Sequence, residues 1–196
     1  MSQPTLRHDS DDAGIAAPDA EYLPAIRLIE QYRELEPLTG DQVLSLLEEP
    51  LANRIPIMDY LRTNAQIRAL SDALANAKVP KTRQLLCDLL GFREAKSAAP
   101  QLVRALADPD PDVRFAAADA IGKLFWFGEV PTRSSNRAGR ALLRRLVLER
   151  DSGVRLWIIA SLGSARFQPA RPILEALAGN DDEQLQEFVA RSLERV

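Results

Sequence analysis

The chain has 196 residues, 46% of them hydrophobic and 6% aromatic, with a formal net charge of −3. This is enough apolar material for a continuous core, and its weight in Ala and Leu favours helices over strands. One cysteine (Cys87) and one histidine (His8, in a polar leader) exclude an intramolecular disulfide, a multi-cysteine or His-rich metal site, and a His-based triad in the body.

Residues 1–20 read as a disordered acidic leader, with Pro4, Asp9, Asp11, Asp12, Gly14 and Pro18 and few large apolar side chains. The N-terminus has no apolar stretch of the secretory kind, and no run approaches the roughly 20 residues that span a bilayer, so a cytoplasmic protein without membrane contact is expected. Residues 21–80 read as an N-terminal helical cap with degenerate repeats. Leu23, Ile26, Ile29 and Leu35 share a helix face that Pro37 ends, and Thr39 can N-cap a second helix carrying Val43, Leu44 and Leu47. Ile55 to Leu61 and Ile67 to Leu74 give two further helical segments.

Residues 81–196 carry an internal repeat. Arg83 in TRQLLCDLLG, Arg114 in VRFAAADAIG and Arg155 in VRLWIIASLG are each followed eight residues later by Gly91, Gly122 and Gly163. Arg83 and Arg114 are 31 residues apart, whereas Arg114 and Arg155 are 41 apart, so ten residues have entered the middle unit, at about 125–136. A fourth copy keeps Leu185, Phe188, Val189 and Leu193 but has Gln186 and Glu194 in the Arg and Gly places. Each unit reads as two short helices. In the best one, a helix at about 98–107 stops at Asp108-Pro109-Asp110-Pro111, and a second runs to about Leu124 with Asp110 as its N-cap. Two helices cannot cover their apolar sides alone, so stacking on neighbours does it. The fold class expected is an all-α solenoid of helix pairs.

The pattern in DPDPDVRFAAADAIG, which begins at Asp108, and its weaker copy DSGVRLWIIASLG, which begins at Asp151, resembles HEAT repeats. The closest flavour is the short HEAT-like repeat of phycobilin lyases and prokaryotic adaptor proteins. The resemblance implies that the Val-Arg helices line a concave face. It also implies that Asp108, Arg114, Asp151 and Arg155 form a structural ladder between repeats rather than a catalytic group.

Three places could carry function. The inserted stretch holds Phe125, Trp126 and Phe127, which cannot all face one core, and Trp is a preferred interface anchor. Beside them Arg137, Arg140 and Arg144 share one helix face, and Arg133, Arg145 and Arg150 add to the positive field, suited to an acidic protein segment or a phosphate-bearing ligand. On the second helices the repeat aligns Gln84, Phe115, Leu156 and Glu187 in one row and Asp88, Asp119, Ala160 and Arg191 in another, so Phe115 and Leu156 give an apolar centre beside Asp119. Trp157, aligned with Ala116 and Phe188, reads as core.

Residues 80–178 hold 16 Lys/Arg against 10 Asp/Glu, while residues 1–79 hold 7 against 13, a distribution that can draw an acidic partner to the middle of the chain. With no catalytic residue, cofactor or metal site indicated, the sequence favours a binding protein over an enzyme. The reading is a protein-binding scaffold or adaptor that captures another protein's acidic segment using the concave face and the aromatic/Arg insertion, anchored by Trp126 or Phe127 and steered by the arginine row. The alternative implied by the resemblance is a chromophore-handling factor like the phycobilin lyases, the one reading that involves a small molecule. Nucleic acid is disfavoured by the negative overall charge and the lack of a long basic stripe.

Overall fold

The computed structural model describes residues 20–50, 54–93, 96–126 and 133–196. Among these residues the regular structure is helical throughout, 11 α-helices with short 3-10 turns and no strand. The leader at 1–19 and Phe127 lie outside the described residues.

The chain opens with α1 (Leu23–Arg33), α2 (Gly40–Leu47), α3 (Arg54–Asn64) and α4 (Ile67–Asn76). Thr39 starts α2 as a capping box: its backbone N–H donates to Gln42 Oε1 at 2.8 Å, and its Oγ1 accepts from the Gln42 N–H at 3.3 Å. Leu35, assigned to the apolar face of α1 by periodicity, is exposed, because the helix ends at Arg33 and Leu35 falls in the turn beyond it.

The repeats follow as α5 (Pro80–Phe92), α6 (Ala99–Ala105), α7 (Pro111–Trp126), α8 (Arg133–Leu148), α9 (Ser152–Ser164), α10 (Arg171–Leu177) and α11 (Glu183–Leu193). Asp110 Oδ1 accepts from the Asp112 and Val113 N–H groups at the start of α7, and Asp151 Oδ1 accepts from Val154 N–H at the start of α9. Consecutive helices pair as α2 with α3, α4 with α5, α6 with α7, α8 with α9 and α10 with α11, and the pairs stack into two layers.

Helices α5, α7, α9 and α11 pack on one another far more extensively than α6 packs on α8. The repeat glycines explain this closeness. A Cβ on Gly91 would lie 2.9 Å from Ala120 Cα, one on Gly122 2.7 Å from Ser161 Oγ, and one on Gly163 2.9 Å from Ser192 Cα. Each glycine therefore meets the small residue that stands two places before the next unit's glycine position, so the backbones come together. The serines add hydrogen bonds across the same junctions, Ser161 Oγ to Ala118 O at 2.7 Å and Ser192 Oγ to Ile159 O at 2.9 Å. A stack whose layers are unequally spaced bends toward the tighter one. Over the repeats α5, α7, α9 and α11 form the tighter layer, here termed the inner face.

The insertion expected at about 125–136 is taken up in part as helix. α7 and α8 each run 16 residues, against 13 in α5 and α9 and 7 in α6 and α10. Much of the extra chain is thus helix: Phe125 and Trp126 finish α7, and Arg133 to Asn136 begin α8. The reason is packing. Phe125 continues the buried stripe of α7, and Ala138, Leu142 and Leu146 give α8 a core-facing stripe at helical spacing.

Candidate functional site

Three surfaces gather the chemistry of the chain. The first is the edge where the helix pairs turn, and it is structural. Arg83 grips Asp108 with Nε–Oδ2 at 2.7 Å and Nη2–Oδ1 at 2.9 Å, while its Nη1 donates to the Lys78 carbonyl at 2.7 Å. Arg114 grips Glu149 in the same way at 2.8 and 2.9 Å, and its Nη1 donates to the carbonyls of Asp108 and Pro109. Each rung therefore joins the arginine of one unit to the acid six residues before the arginine of the next. The acid opposite Arg114 is Glu149, and Asp151 instead caps α9. The equivalent place after Arg155 is Asn180, and the buried Arg155 Nε has no hydrogen-bond partner.

Charge follows this geometry. Burial alone would raise the Glu149 carboxyl, but hydrogen bonds from Arg114, Arg145 and the Asp151 N–H bring it down to about 2. Asp108 also lies low: burial opposes ionisation, and hydrogen bonds from Arg83 and the Asp110 N–H outweigh it. Asp108 is engaged by Arg83 and Asp110 by the start of α7, so pairing and capping account for these two. Cys87 is fully buried, which pushes its thiol up, away from a reactive thiolate.

The second surface is the inner face. Asp119 pairs with Lys123 at 2.6 Å, and the Lys123 Nζ lies 4.4 Å from the centre of the Phe92 ring. Further along, Phe115, Trp157 and Phe188 form a row of edge-to-face contacts, with ring centres 5.3 and 6.3 Å apart. Arg195 stacks over Trp126 at 4.0 Å. Between Trp126 and this row opens a mainly apolar cavity of about 390 Å³, walled by Trp126, Trp157, Ala160 and Phe188, with Arg191, Glu194 and Arg195 at its polar side.

Two sequence expectations change here. Trp157 is only partly buried and walls the cavity, because its place in the repeat puts it on the inner edge of α9 rather than inside the stack. Leu156 is buried at 8% exposure and offers no surface, so Phe115 finds its apolar neighbour in Trp157. The C-terminal residues Phe188, Arg191 and Arg195 join Trp126 in a site that the sequence does not indicate. The four-unit alignment marks the rows of Phe188 and Arg191, but it does not bring Arg195, beyond the end of α11, over Trp126.

The third surface is the outward side of α8. Arg133, Arg137, Arg140 and Arg144 are all exposed and line one open groove with Asn136. No residue is common to this groove and the aromatic cavity. Trp126 and the arginine row, close in sequence, thus belong to different layers.

These features define a class: a two-layered α-solenoid built from helix pairs, with an arginine–acid ladder along the turns and its pockets on opposite layers. Residues 67–163, about half of the chain, match the family model for HEAT repeats, and this stretch is a HEAT-repeat array. The fold is similar to a solved structure of the complex of CpcE and CpcF of phycocyanin lyase from Nostoc sp. PCC7120, with a TM-score of 0.59 at 21% identity. That similarity covers 81% of this chain and 65% of the other, so the chain spans less than two thirds of its length. Among curated proteins none matches the sequence. Among the described residues no helix is long and apolar enough to cross a membrane.

Proposed function

We propose that this chain is a non-catalytic scaffold that holds a segment of another protein on its inner face. The observation that carries the reading is the cavity of about 390 Å³ between Trp126, Trp157 and Phe188. Its volume lies in the range of sites that enclose a large side chain or a small ligand. Its walls are aromatic anchors of the kind that dominate binding energy, and Arg195, stacked on Trp126, would pair with a carboxylate beside the inserted group. HEAT repeats support a scaffold role, and the similar solved structure is itself a complex of two proteins.

The test is affinity capture with the wild type against Trp126→Ala and Arg195→Glu. Trp126 is 49% exposed, so its truncation leaves the core intact. Loss of the same captured proteins in both variants supports the reading, and identical captured sets overturn it. Because both tryptophans of the chain wall the cavity, their fluorescence reports occupancy directly.

The fold similarity to a protein named as a phycocyanin lyase, together with the aromatic walls and two arginines, supports a second reading, in which the cavity takes part of an open-chain tetrapyrrole. A visible absorption band that forms on mixing with bilin and is lost in Trp126→Ala would favour it over the first.

A further inference from the structure

The outward ridge of α8 gathers four exposed arginines on one helix. Among the described residues, several exposed arginines on other helices find an acid one turn away, Arg62 with Asp59, Arg68 with Asp72, Arg171 with Glu175 and Arg191 with Glu187, and those that do not, Arg27, Arg33 and Arg104, form no line of four. α8 contains no acidic residue, and among the described residues none of Arg133, Arg137, Arg140 and Arg144 has an ion-pair partner. Only Arg145, which turns inward, reaches Glu149.

Spacings of four, three and four residues put the four guanidiniums on one line, and at 1.5 Å rise per residue the line is about 16 Å long. Like charges at this spacing repel, and Arg133 adds a cation at the helix N-terminus, where the macrodipole opposes it. The same line continues into Val147 and Leu148, which are 69% and 68% exposed. An ordinary solvated face would end in polar residues. This one ends in two bare aliphatic side chains directly after its cations. The helix is also more than twice as long as its outer-layer neighbours α6 and α10, and an open groove of about 720 Å³ runs along the arginines.

We propose that this ridge docks an acidic amphipathic helix of another protein. Carboxylates one turn apart along that helix would face Arg133, Arg137, Arg140 and Arg144, and an aliphatic residue beyond them would cover Val147 and Leu148. Charge complementarity sets the partner's acidic character, and the planar guanidinium forks favour carboxylates held in register over diffuse charge. The aliphatic pair and the shortness of the cationic line favour a peptide over a nucleic acid, whose phosphates would call for a longer basic track. The ridge is separate from the aromatic cavity, and the inference does not depend on that cavity being used.

The test uses the full chain and a labelled synthetic peptide of about 18 residues, with Glu at positions i, i+4, i+7 and i+11 and two leucines one turn further on. A second peptide has the same composition with Glu and Leu spread around the helix. A single-stranded oligonucleotide and phosphatidylcholine vesicles containing phosphatidylserine complete the probes. The patterned peptide should bind, more weakly at higher salt, and about tenfold more tightly than the scrambled one. Arg137→Glu/Arg144→Glu should weaken it at least about tenfold, and Val147→Ser/Leu148→Ser about threefold, with unfolding midpoints unchanged. Trp126→Ala should leave peptide binding intact, which separates this surface from the inner one. Equal binding of the two peptides, indifference to the charge reversal, or a preference for the oligonucleotide or the vesicles would overturn the proposal.

Discussion

Arg114 and Glu149, 35 residues apart in sequence, meet as a bidentate pair whose side chains are 10% and 1% exposed. They lie in successive repeats, so the pair fixes how one helix pair stands on the next. Glu149 also accepts from Arg145 and from the N–H groups of Arg150 and Asp151, which ties the end of α8 to the start of α9. Breaking such a pair leaves a buried charge without compensation. Glu149→Ala should cost about 3–5 kcal/mol, measured by denaturant unfolding. A loss under about 1 kcal/mol would show that the ladder is not holding the stack.

The same pair gives the fold an acid-sensitive component. The Glu149 carboxyl falls from its ordinary 4.5 to about 2 in the folded chain. A carboxyl that binds its proton more weakly when folded stabilises the fold while ionised. Its contribution is therefore complete above about pH 4.5 and drains away as the pH falls toward 2. Asp108 shifts in the same direction and adds to the loss. Glu149→Gln should be less stable near neutrality and lose less of its remaining stability on acidification, as read from unfolding midpoints at stepped pH.

The ladder has a missing rung. Asn180 occupies the place of Asp108 and Glu149, and its Oδ1 accepts from the Asp182 N–H just as Asp108 Oδ1 accepts from the Asp110 N–H. Arg155, one unit back, keeps a buried Nε with no partner. Asn180→Asp should supply the carboxylate and raise stability by about 0.5–1 kcal/mol. In an Arg155→Met background the gain should vanish. A gain that persists there would assign it to something other than the rung.

Close approach of the inner helices makes a separate prediction. A methyl group on Gly91 would meet the Ala120 backbone at 2.9 Å, while one on Gly179 would meet nothing within 4 Å. Neither glycine has a positive φ, so backbone conformation does not confound the comparison. Gly91→Ala should cost about 1–3 kcal/mol despite the higher helix propensity of alanine, and Gly179→Ala should be close to neutral. Thermal unfolding of the two variants side by side checks this.

The short-range signals carried a large part of the architecture. Arg-to-Gly spacing, Asp and Thr caps and the prolines at helix starts each act within a turn or two, and they located the helix pairs and their stacking. The same locality explains what they missed. Trp126 and Arg133 are seven residues apart in sequence, yet α7 lies in the inner layer and α8 in the outer one. The break between two helices separated what proximity in the chain had joined. Arg195 reaches Trp126 across 69 residues, a contact that depends on how α11 closes the end of the stack.

By itself, then, the sequence determined that helices pair, that pairs repeat, and where the repeat glycines fall. Those properties arise from backbone geometry and apolar periodicity within single units. Only the tertiary structure decided which acid answers each arginine, that Trp157 and Phe188 wall a cavity with Trp126, and that the α8 arginines face outward without partners. Those outcomes depend on the angle and spacing between units, set by the sum of many packing contacts along the stack, and no local pattern encodes that sum.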